Sequence, residues 1–416
     1  MGRVATSNLQ EGMVLAEDLR NSAGHFVLSR GTTLTARQIR MFKVWGIFSV
    51  AVEGTDDERI AREKEASRET TGRAEAFLET ILPPSRRDHP AMAELHRICV
   101  ERLAERMEGG FEPQILPAEE ASFEEIRRCR RRDLSATSLV SGDVRLASFP
   151  DIYFKIRHLL ESPRTSAVHL AEVVSKDPSL SARILRLVNS SFYGFADPIE
   201  SIPRAIAIIG TKELSSLALA VSTLNVFDDV PPRYVSMRSF WEHAVACGVF
   251  ARLLTPPGQT RLEERFFLAG LFHDLGRLLL YRRLPREMTC ALRLSRRLRA
   301  PLHEAEQDLL GFDHALLGRE LLTSWRIPSP LPDLVGFHHA PSEAGAPEGA
   351  AQLHVADILS LALQIGTSGS LFVPSLKAEA WENLGLEPEA LPGLIAQGER
   401  QIEEIMNVFF GGESSS

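Results

Sequence analysis

From about residue 140 onward, apolar positions recur with helical spacing, and no stretch alternates as strands do. Pro150 can begin one helix whose apolar face carries Ile152, Ile156, Leu159 and Leu160. Asp177-Pro178 starts a second helix whose apolar face carries Leu180, Ile184, Leu187 and Val188. No repeat of 20–50 residues recurs, which disfavours a solenoid. The pattern predicts about a dozen helices packed on one another without a sheet.

The start of the chain has a different pattern. Met13–Leu15 and His25–Leu28 are short apolar runs, and Ile47–Val52 is strand-like. Between them, Thr35 can cap a helix that continues through Trp45. We therefore predict a small α+β domain over residues 1–56.

Residues 57–139 are rich in charge and in good helix formers, with breaks at Pro83-Pro84 and Gly109-Gly110. This pattern predicts a helical connector ahead of a helical domain over residues 140–411. The basic run of residues 127–132 follows two glutamates and has no interleaved aromatic residues. A solvated helix face is therefore favoured over a nucleic-acid site.

Composition narrows the function classes. The 416 residues are 44% hydrophobic and 25% charged, with a formal net charge of −8. This charge disfavours nucleic acid and anionic membrane as partners. The N-terminus has no signal-peptide apolar region, and no run of about 18 apolar residues could span a membrane. The four cysteines lie far apart, as expected of small apolar thiols in a reducing compartment, so we predict a cytoplasmic protein.

Histidine is concentrated in one part of the helical region, because seven of the twelve histidines fall between His243 and His354. A carboxylate in helices as apolar as these is costly unless it is paired or bound to metal. The predicted metal ligands are His243, His273, Asp274, His314, His338, His339 and Asp357. These nitrogen and oxygen ligands suit one or two divalent cations, and Asp274 can bridge two of them. The predicted ligands do not distinguish among Fe, Mn, Zn and Ni.

Each residue also has a simpler interpretation. A single histidine on an apolar helix face is commonly a hydrogen-bonded core residue. Asp313 can be a helix N-cap with His314 merely its neighbour. Asp357 can pair with His354 along one helix face.

The order of these residues resembles the HD superfamily of metal-dependent phosphohydrolases. More specifically, the helical region is similar to the HD-related output domain, HDOD. The similar stretches are FPDIYFKI, SKDPSLSARILRLVNSSFYGF and SIPRAIAIIGTKEL, followed by FWEH, AGLFHDLGRLLL, GFDHALLGRELL and GFHHAP. This resemblance covers roughly residues 140–340. The stretch LQEGMVLAEDL and the residues after it resemble a small domain found ahead of HD-GYP phosphodiesterases.

The sequence departs from the catalytic relatives at three places. They carry Glu one turn before the first histidine, where this chain has Ser239. Their HDIGK lysine is replaced by Arg277, whose fork can still hold phosphate oxygens. Their GYP tripeptide has only a weak counterpart in Gly345-Ala346-Pro347, without the tyrosine.

The resemblance implies a bacterial signal-transduction output module that binds a signalling protein partner and retains a metal site. The rival hypothesis is a metal-dependent phosphohydrolase or cyclic-dinucleotide phosphodiesterase, in which Asp274 and Arg277 would be the catalytic residues. A third hypothesis keeps the metal as a structural element or as a sensor of redox state or gas. The sequence leaves open whether the chain forms a homo-oligomer.

Overall fold

The computed structural model describes residues 2–6, 9–20, 26–44, 47, 49–52, 57–113, 123–141, 167–190, 192–195, 197–224, 230–256 and 259–410, with a few single residues between 152 and 159. These residues form two compact units. The first unit contains residues 1–76 and 101–113, and the second contains residues 77–100 and 114–416.

The first unit is a small α+β structure. Its elements are β1 (Gly2–Ala5), β2 (Leu19–Arg20), β3 (Phe26–Leu28), α1 (Ala36–Val44) and β4 (Ser49–Val52). Strand β1 pairs antiparallel with β4, and β2 pairs antiparallel with β3. Leu15, Leu34, Phe42 and Val52 lie at the centre of its apolar core. The predicted α+β character of this region is confirmed, whereas Trp45, the predicted last residue of α1, lies outside the described residues.

Helices α2 (Asp57–Ile81) and α3 (Pro90–Glu108) each contribute residues to both units. The boundary between the units therefore falls inside the helices that the sequence assigned to a connector. The predicted helical domain begins at residue 140, and residues 142–151, which include Pro150, lie outside the described residues.

The second unit is helical, as predicted. Its elements before the histidine-rich region are α4 (Phe123–Arg128), α5 (Ala136–Ser141), α6 (Ala167–Ser175), α7 (Pro178–Val188), α8 (Ile202–Ile209) and α9 (Thr211–Thr223). The remaining helices are α10 (Met237–Leu253), α11 (Thr260–Phe272), α12 (Leu275–Arg283), α13 (Pro285–Leu298), α14 (Leu302–Leu310), α15 (His314–Ser324), α16 (Leu331–Gly336), α17 (Pro347–Ala362), α18 (Ala378–Glu382) and α19 (Leu391–Phe410). Among the described residues, no helix has the length and apolar character needed to cross a bilayer.

Local sequence explains where α7 begins. The side chain of Asp177 accepts a hydrogen bond from the backbone N–H of Leu180, and Pro178 occupies the first turn. The buried positions of α7 are Leu180, Ile184, Leu187 and Val188. They are the apolar face that the spacing predicted.

Two cysteines depart from the sequence-based expectation. Cys129, just after α4, and Cys290, within α13, form a disulfide although 161 residues separate them. The prediction that all four cysteines act as apolar thiols is therefore wrong for this pair. Cys99 and Cys247 are buried, in agreement with that prediction.

Candidate metal centre

Close helix crossings bring the histidine-bearing segments together. A Cβ atom on Gly270 of α11 would overlap the backbone of Gly248 in α10. A Cβ atom on Gly276 of α12 would likewise overlap the carbonyl oxygen of His314, the first residue of α15. Only glycine allows backbones to approach so closely. These crossings place His243 of α10 and His314 beside the His273-Asp274 junction between α11 and α12.

The carboxylate of Asp274 lies at the centre of the site. Asp274 precedes α12, but its side chain makes no capping hydrogen bond and is turned into the protein. Its Oδ2 lies 3.2 Å from His273 Nε2 and 3.6 Å from His243 Nε2. Its Oδ1 lies 2.8 Å from His314 Nε2. The two oxygens thus face two different groups of histidines.

We call the first group the inner set: His243, His273, Asp274 and Asp357. Asp357, from the buried helix α17, places Oδ1 3.3 Å from His243 Nε2 and 3.7 Å from His273 Nε2. All four side chains are at most 5% exposed. Potential ligand atoms of His243, His273 and Asp274 all lie within 4.8 Å of one another, a spacing that one metal ion can span.

We call the second group the outer set: His314, His338 and His339. Potential ligand atoms of these three residues also lie within 4.8 Å of one another. His339 Nε2 lies 3.2 Å from His314 Nε2. His338 is fully buried and His339 is partly exposed, so this set is the nearer one to solvent. The structure thus brings all seven residues singled out as ligands into one site.

Hydrogen bonds to backbone carbonyls orient two of the imidazoles. His273 Nδ1 lies 2.7 Å from the carbonyl oxygen of Gly270, and His338 Nδ1 lies 2.6 Å from that of Val335. With Nδ1–H donating to the carbonyl, the lone pair of each Nε2 faces the site. This is the usual arrangement of metal-ligating histidines.

Several polar atoms of the site lack a hydrogen-bond partner among the described residues. They are Nδ1 and Nε2 of His243, Nε2 of His273, Oδ1 of Asp274, Nε2 of His338 and Nδ1 of His339. Buried polar atoms are rarely left unsatisfied. Unsatisfied imidazole nitrogens beside buried carboxylates are the donors that a divalent transition metal requires, so these residues fit a metal ion.

Arg277 joins the cluster from one turn into α12, and its side chain is only 3% exposed. Its Nη1 donates to Asp274 Oδ2 at 2.9 Å and to the Ser368 hydroxyl. Its Nε donates to Glu306 Oε1 at 3.1 Å, and its Nη2 lies 2.8 Å from His314 Nδ1. The guanidinium is therefore enclosed by the groups of the site.

Glu306 and His303, both from α14, are site residues that sequence reasoning missed. Glu306 is fully buried, and its Oε2 accepts from the backbone N–H of His314 at 2.9 Å and lies 2.6 Å from His314 Nδ1. The ring of His303 stacks on His339 at 3.8 Å. The alternative pairing of Asp357 with His354 is wrong: His354 Nδ1 lies 2.8 Å from the His338 carbonyl oxygen, whereas Asp357 lies beside His243 and His273.

The charges of the cluster shift one another's pKa values. Burial alone would raise the pKa of Asp274, but Arg277, His273 and His314 hold it well below its usual value. Burial likewise opposes ionisation of Glu306, and His314 and Arg277 lower its pKa to about 2. Burial, together with nearby histidines, lowers the pKa of His338 well below its usual value. The carboxylates are therefore ionised, and His338 is neutral as a metal ligand must be.

Comparison with known proteins places this site in a family. The family model for the HDOD domain matches residues 146–341. This chain contains an HDOD domain. The match includes every residue of the site except Asp357 and Ser368, which follow it on and after α17.

Solved structures and a curated protein are similar to parts of this chain. An HDOD domain protein of Geobacter sulfurreducens shares the fold at a TM-score of 0.51 and 24% identity, covering 66% of this chain and 95% of that chain. A candidate phosphohydrolase of Shewanella amazonensis SB2B gives a TM-score of 0.49 at 21% identity, covering 63% and 94%. A protein of Treponema pallidum (strain Nichols) is 24% identical over 195 residues, which are 47% of this chain and 37% of that protein. The chain thus matches little more than a third of that relative's length.

Proposed function

We propose that this HDOD domain is a regulatory output module that holds a divalent metal ion and acts by binding a protein partner in bacterial signal transduction. One observation carries the proposal. The Arg277 guanidinium, which would have to receive phosphate oxygens in an enzyme, is buried and bonded to Asp274, Glu306 and Ser368. Its charge stabilises the carboxylates of the site instead of a substrate.

The inner set would hold the metal. It combines two carboxylates with two imidazoles whose Nε2 atoms have no hydrogen-bond partner among the described residues. A bound divalent ion supplies positive charge and Lewis acidity at this position. In the proposed module, coordination by these four residues would fix the arrangement of the helices that carry them.

Access to the inner set also favours a non-catalytic role. Its side chains are almost fully buried, and His303 and His339 are the histidines of the site that are partly exposed. The first turn of α10, where catalytic relatives carry a glutamate, is covered by the segment after α17. There the Thr367 N–H donates to the carbonyl oxygen of Ser239 at 3.0 Å. A phosphodiester would have to displace this segment or enter past His339.

A metal-dependent phosphohydrolase that acts on a phosphodiester such as a cyclic dinucleotide is the second candidate. The observation that favours it is the position of Asp274, whose two oxygens face the inner set and the outer set. In this case His339, partly exposed, is the imidazole placed to meet a substrate. Arg277 would have to leave Glu306 to reach that substrate.

Metal content and turnover, measured on the same preparation, distinguish the two candidates. We expect stoichiometric metal by elemental analysis and no hydrolysis of bis(p-nitrophenyl) phosphate or cyclic di-GMP with added Mn²⁺ or Fe²⁺. A partner cross-linked in cells and then purified should bind the wild type, and binding that survives His273→Ala would place the docking surface outside the cavity. Turnover by the wild type that His273→Ala abolishes would establish the enzyme instead.

A further inference from the structure

The guanidinium of Arg277 lies where the inner and outer sets meet. Its Nη1 contacts Asp274 Oδ2 at 2.9 Å, and its Nη2 lies 3.0 Å from His314 Nε2. A metal ion in the outer set would need His314, and Asp274 is the inner-set residue whose Oδ1 lies beside it, at 2.8 Å from His314 Nε2. A positive charge that belongs to the chain itself is therefore already bound between them.

Protein groups also lie close to both ring nitrogens of His314. Nδ1 lies 2.6 Å from Glu306 Oε2, and Nε2 lies 2.8 Å from Asp274 Oδ1. The outer set thus has only His338 and His339 left as donors with unsatisfied nitrogens. The inner set keeps His243, His273 and two carboxylates.

The charge balance of the site also favours one divalent ion over two. The site buries three carboxylates, of Asp274, Asp357 and Glu306, and the guanidinium of Arg277. Counted over the carboxylates and the guanidinium alone, three negative charges and one positive charge give a net charge of −2. One divalent ion neutralises that charge, whereas two would leave a net charge of +2 buried, which is strongly unfavourable.

We propose that Arg277 takes the place of a second metal ion and limits the site to one divalent cation, which the inner set binds. Glu306 is the counter-ion that holds Arg277 in this position through Nε at 3.1 Å. The inference rests on the metal site of the proposed function. It adds the number of ions, their location and the residue that decides both.

The first experiment locates the ion without altering Arg277. Purified protein is loaded with Mn²⁺, desalted and analysed by inductively coupled plasma mass spectrometry and native mass spectrometry. We expect one ion per chain in the wild type, one in His339→Ala and none in His243→Ala. Loss of the ion in His339→Ala with retention in His243→Ala would overturn the assignment to the inner set.

The second experiment removes the charge of Arg277. Arg277→Met and Arg277→Gln should each bind two ions per chain, because the second position loses its cation. The glutamine variant keeps a polar group beside Asp274 in case the apolar variant does not fold. Arg319→Met is the matched control, since Arg319 pairs with Asp333 at 2.8 Å outside the site, and it should stay at one ion.

The outcomes separate the inference from the proposed function. Two ions in the wild type, or one in both folded Arg277 variants, would overturn the role of Arg277 while leaving a metal-binding module. No ion in the wild type but one in the Arg277 variants would overturn the assignment of one ion to the inner set and also contradict the metal in the proposed function. No ion in any variant would overturn both.

Discussion

Glu306 connects the two charged parts of the site. One oxygen accepts from Arg277 Nε, and the other lies close to the ring and the backbone N–H of His314. The carboxylate is fully buried, so its desolvation is compensated only by these contacts. Without it, a buried guanidinium would retain Asp274 as its remaining carboxylate partner.

Glu306→Ala should therefore lower the free energy of unfolding by about 3–5 kcal/mol, the usual cost of removing one partner of a buried ion pair. Chemical denaturation followed by circular dichroism measures the loss. Glu304→Ala is the control on the same helix, because Glu304 is exposed, and its effect should stay within about 0.5 kcal/mol. Equal effects of the two substitutions would contradict the role given to Glu306.

Some residues of the site can be identified from the sequence alone, and others cannot. The histidines and aspartates were found because they interrupt strongly apolar helices. Glu306 was missed because an acidic residue on an amphipathic helix commonly faces solvent. A signal was present, since Glu306 occupies the buried face of α14 together with Leu302, Ala305 and Leu309. The hydrogen bonds of Arg277 depend on residues up to 91 positions away and leave no local pattern.

The crossing of α12 and α15 sets the distance between Asp274 and His314. Gly276 and Gly318 make this crossing close: a Cβ on Gly276 would overlap the backbone nitrogen of Gly318 as well as the carbonyl oxygen of His314. The helices must separate to admit any larger residue.

We expect Gly276→Ala to destabilise the protein by about 1–3 kcal/mol through overpacking, and to weaken metal binding because Asp274 and His314 move apart. Thermal unfolding and Mn²⁺ titration by calorimetry test both effects. Gly393→Ala in α19 is the matched control, since a Cβ there meets nothing within 4 Å. A Gly276→Ala protein with wild-type stability and affinity would show that the crossing has room to adjust.

The segment after α4 is fixed to the helical unit by covalent and polar contacts. Besides the disulfide between Cys129 and Cys290, the Arg131 N–H donates to the Leu309 carbonyl oxygen at 2.8 Å, and Arg130 pairs with Asp308 at 2.9 Å. The basic run thus contributes to attachment within this unit. Half-exposed ion pairs of this kind contribute little stability on their own, so the disulfide should contribute most of the stability of this attachment.

Cys129→Ser should lower the free energy of unfolding by about 2–4 kcal/mol, as should reduction by dithiothreitol. Cys290→Ser and the double variant should show the same loss, since each breaks the same bond. Thiol titration of unreduced, denatured wild type checks the premise and should find two of the four cysteines reactive. Four reactive thiols would show that Cys129 and Cys290 are not joined by a disulfide.

Elements differ in how well the sequence predicts them. Helices such as α7 carry a cap, a first-turn proline and one apolar face, so their existence and position follow from local chemistry. The Cys129–Cys290 disulfide and the close crossings follow only from the tertiary fold. Neither a pairing across 161 residues nor the role of Gly276 has a local signature. The resemblance of the first unit to the domain ahead of HD-GYP phosphodiesterases stays a prediction.

The site is assembled from segments that are spread over more than a hundred residues of the sequence. His243 lies on α10, His273 and Asp274 at the junction of α11 and α12, His314 on α15, and Asp357 on α17. An unfolded chain has no such arrangement, so a metal ion held by the inner set would bind the native state in preference to the unfolded one.

Free metal at 100 times its Kd should accordingly stabilise the protein by about 2.7 kcal/mol, which raises Tm by several degrees. Differential scanning calorimetry of Mn²⁺-loaded and chelator-treated protein measures the shift. His243→Ala serves as the reference, and its Tm should not respond to metal. A wild-type Tm that is insensitive to metal would contradict metal binding by the native inner set.

The origin of the ligands on separate helices has a consequence for the protein in the cell. Proteases act on the unfolded fraction, which changes about tenfold for each 1.4 kcal/mol of stability. Chains that lack the ion would be degraded sooner than chains that carry it. The steady-state amount of this protein would then follow the supply of the ion, and nutrient limitation would lower its concentration without any change in transcription.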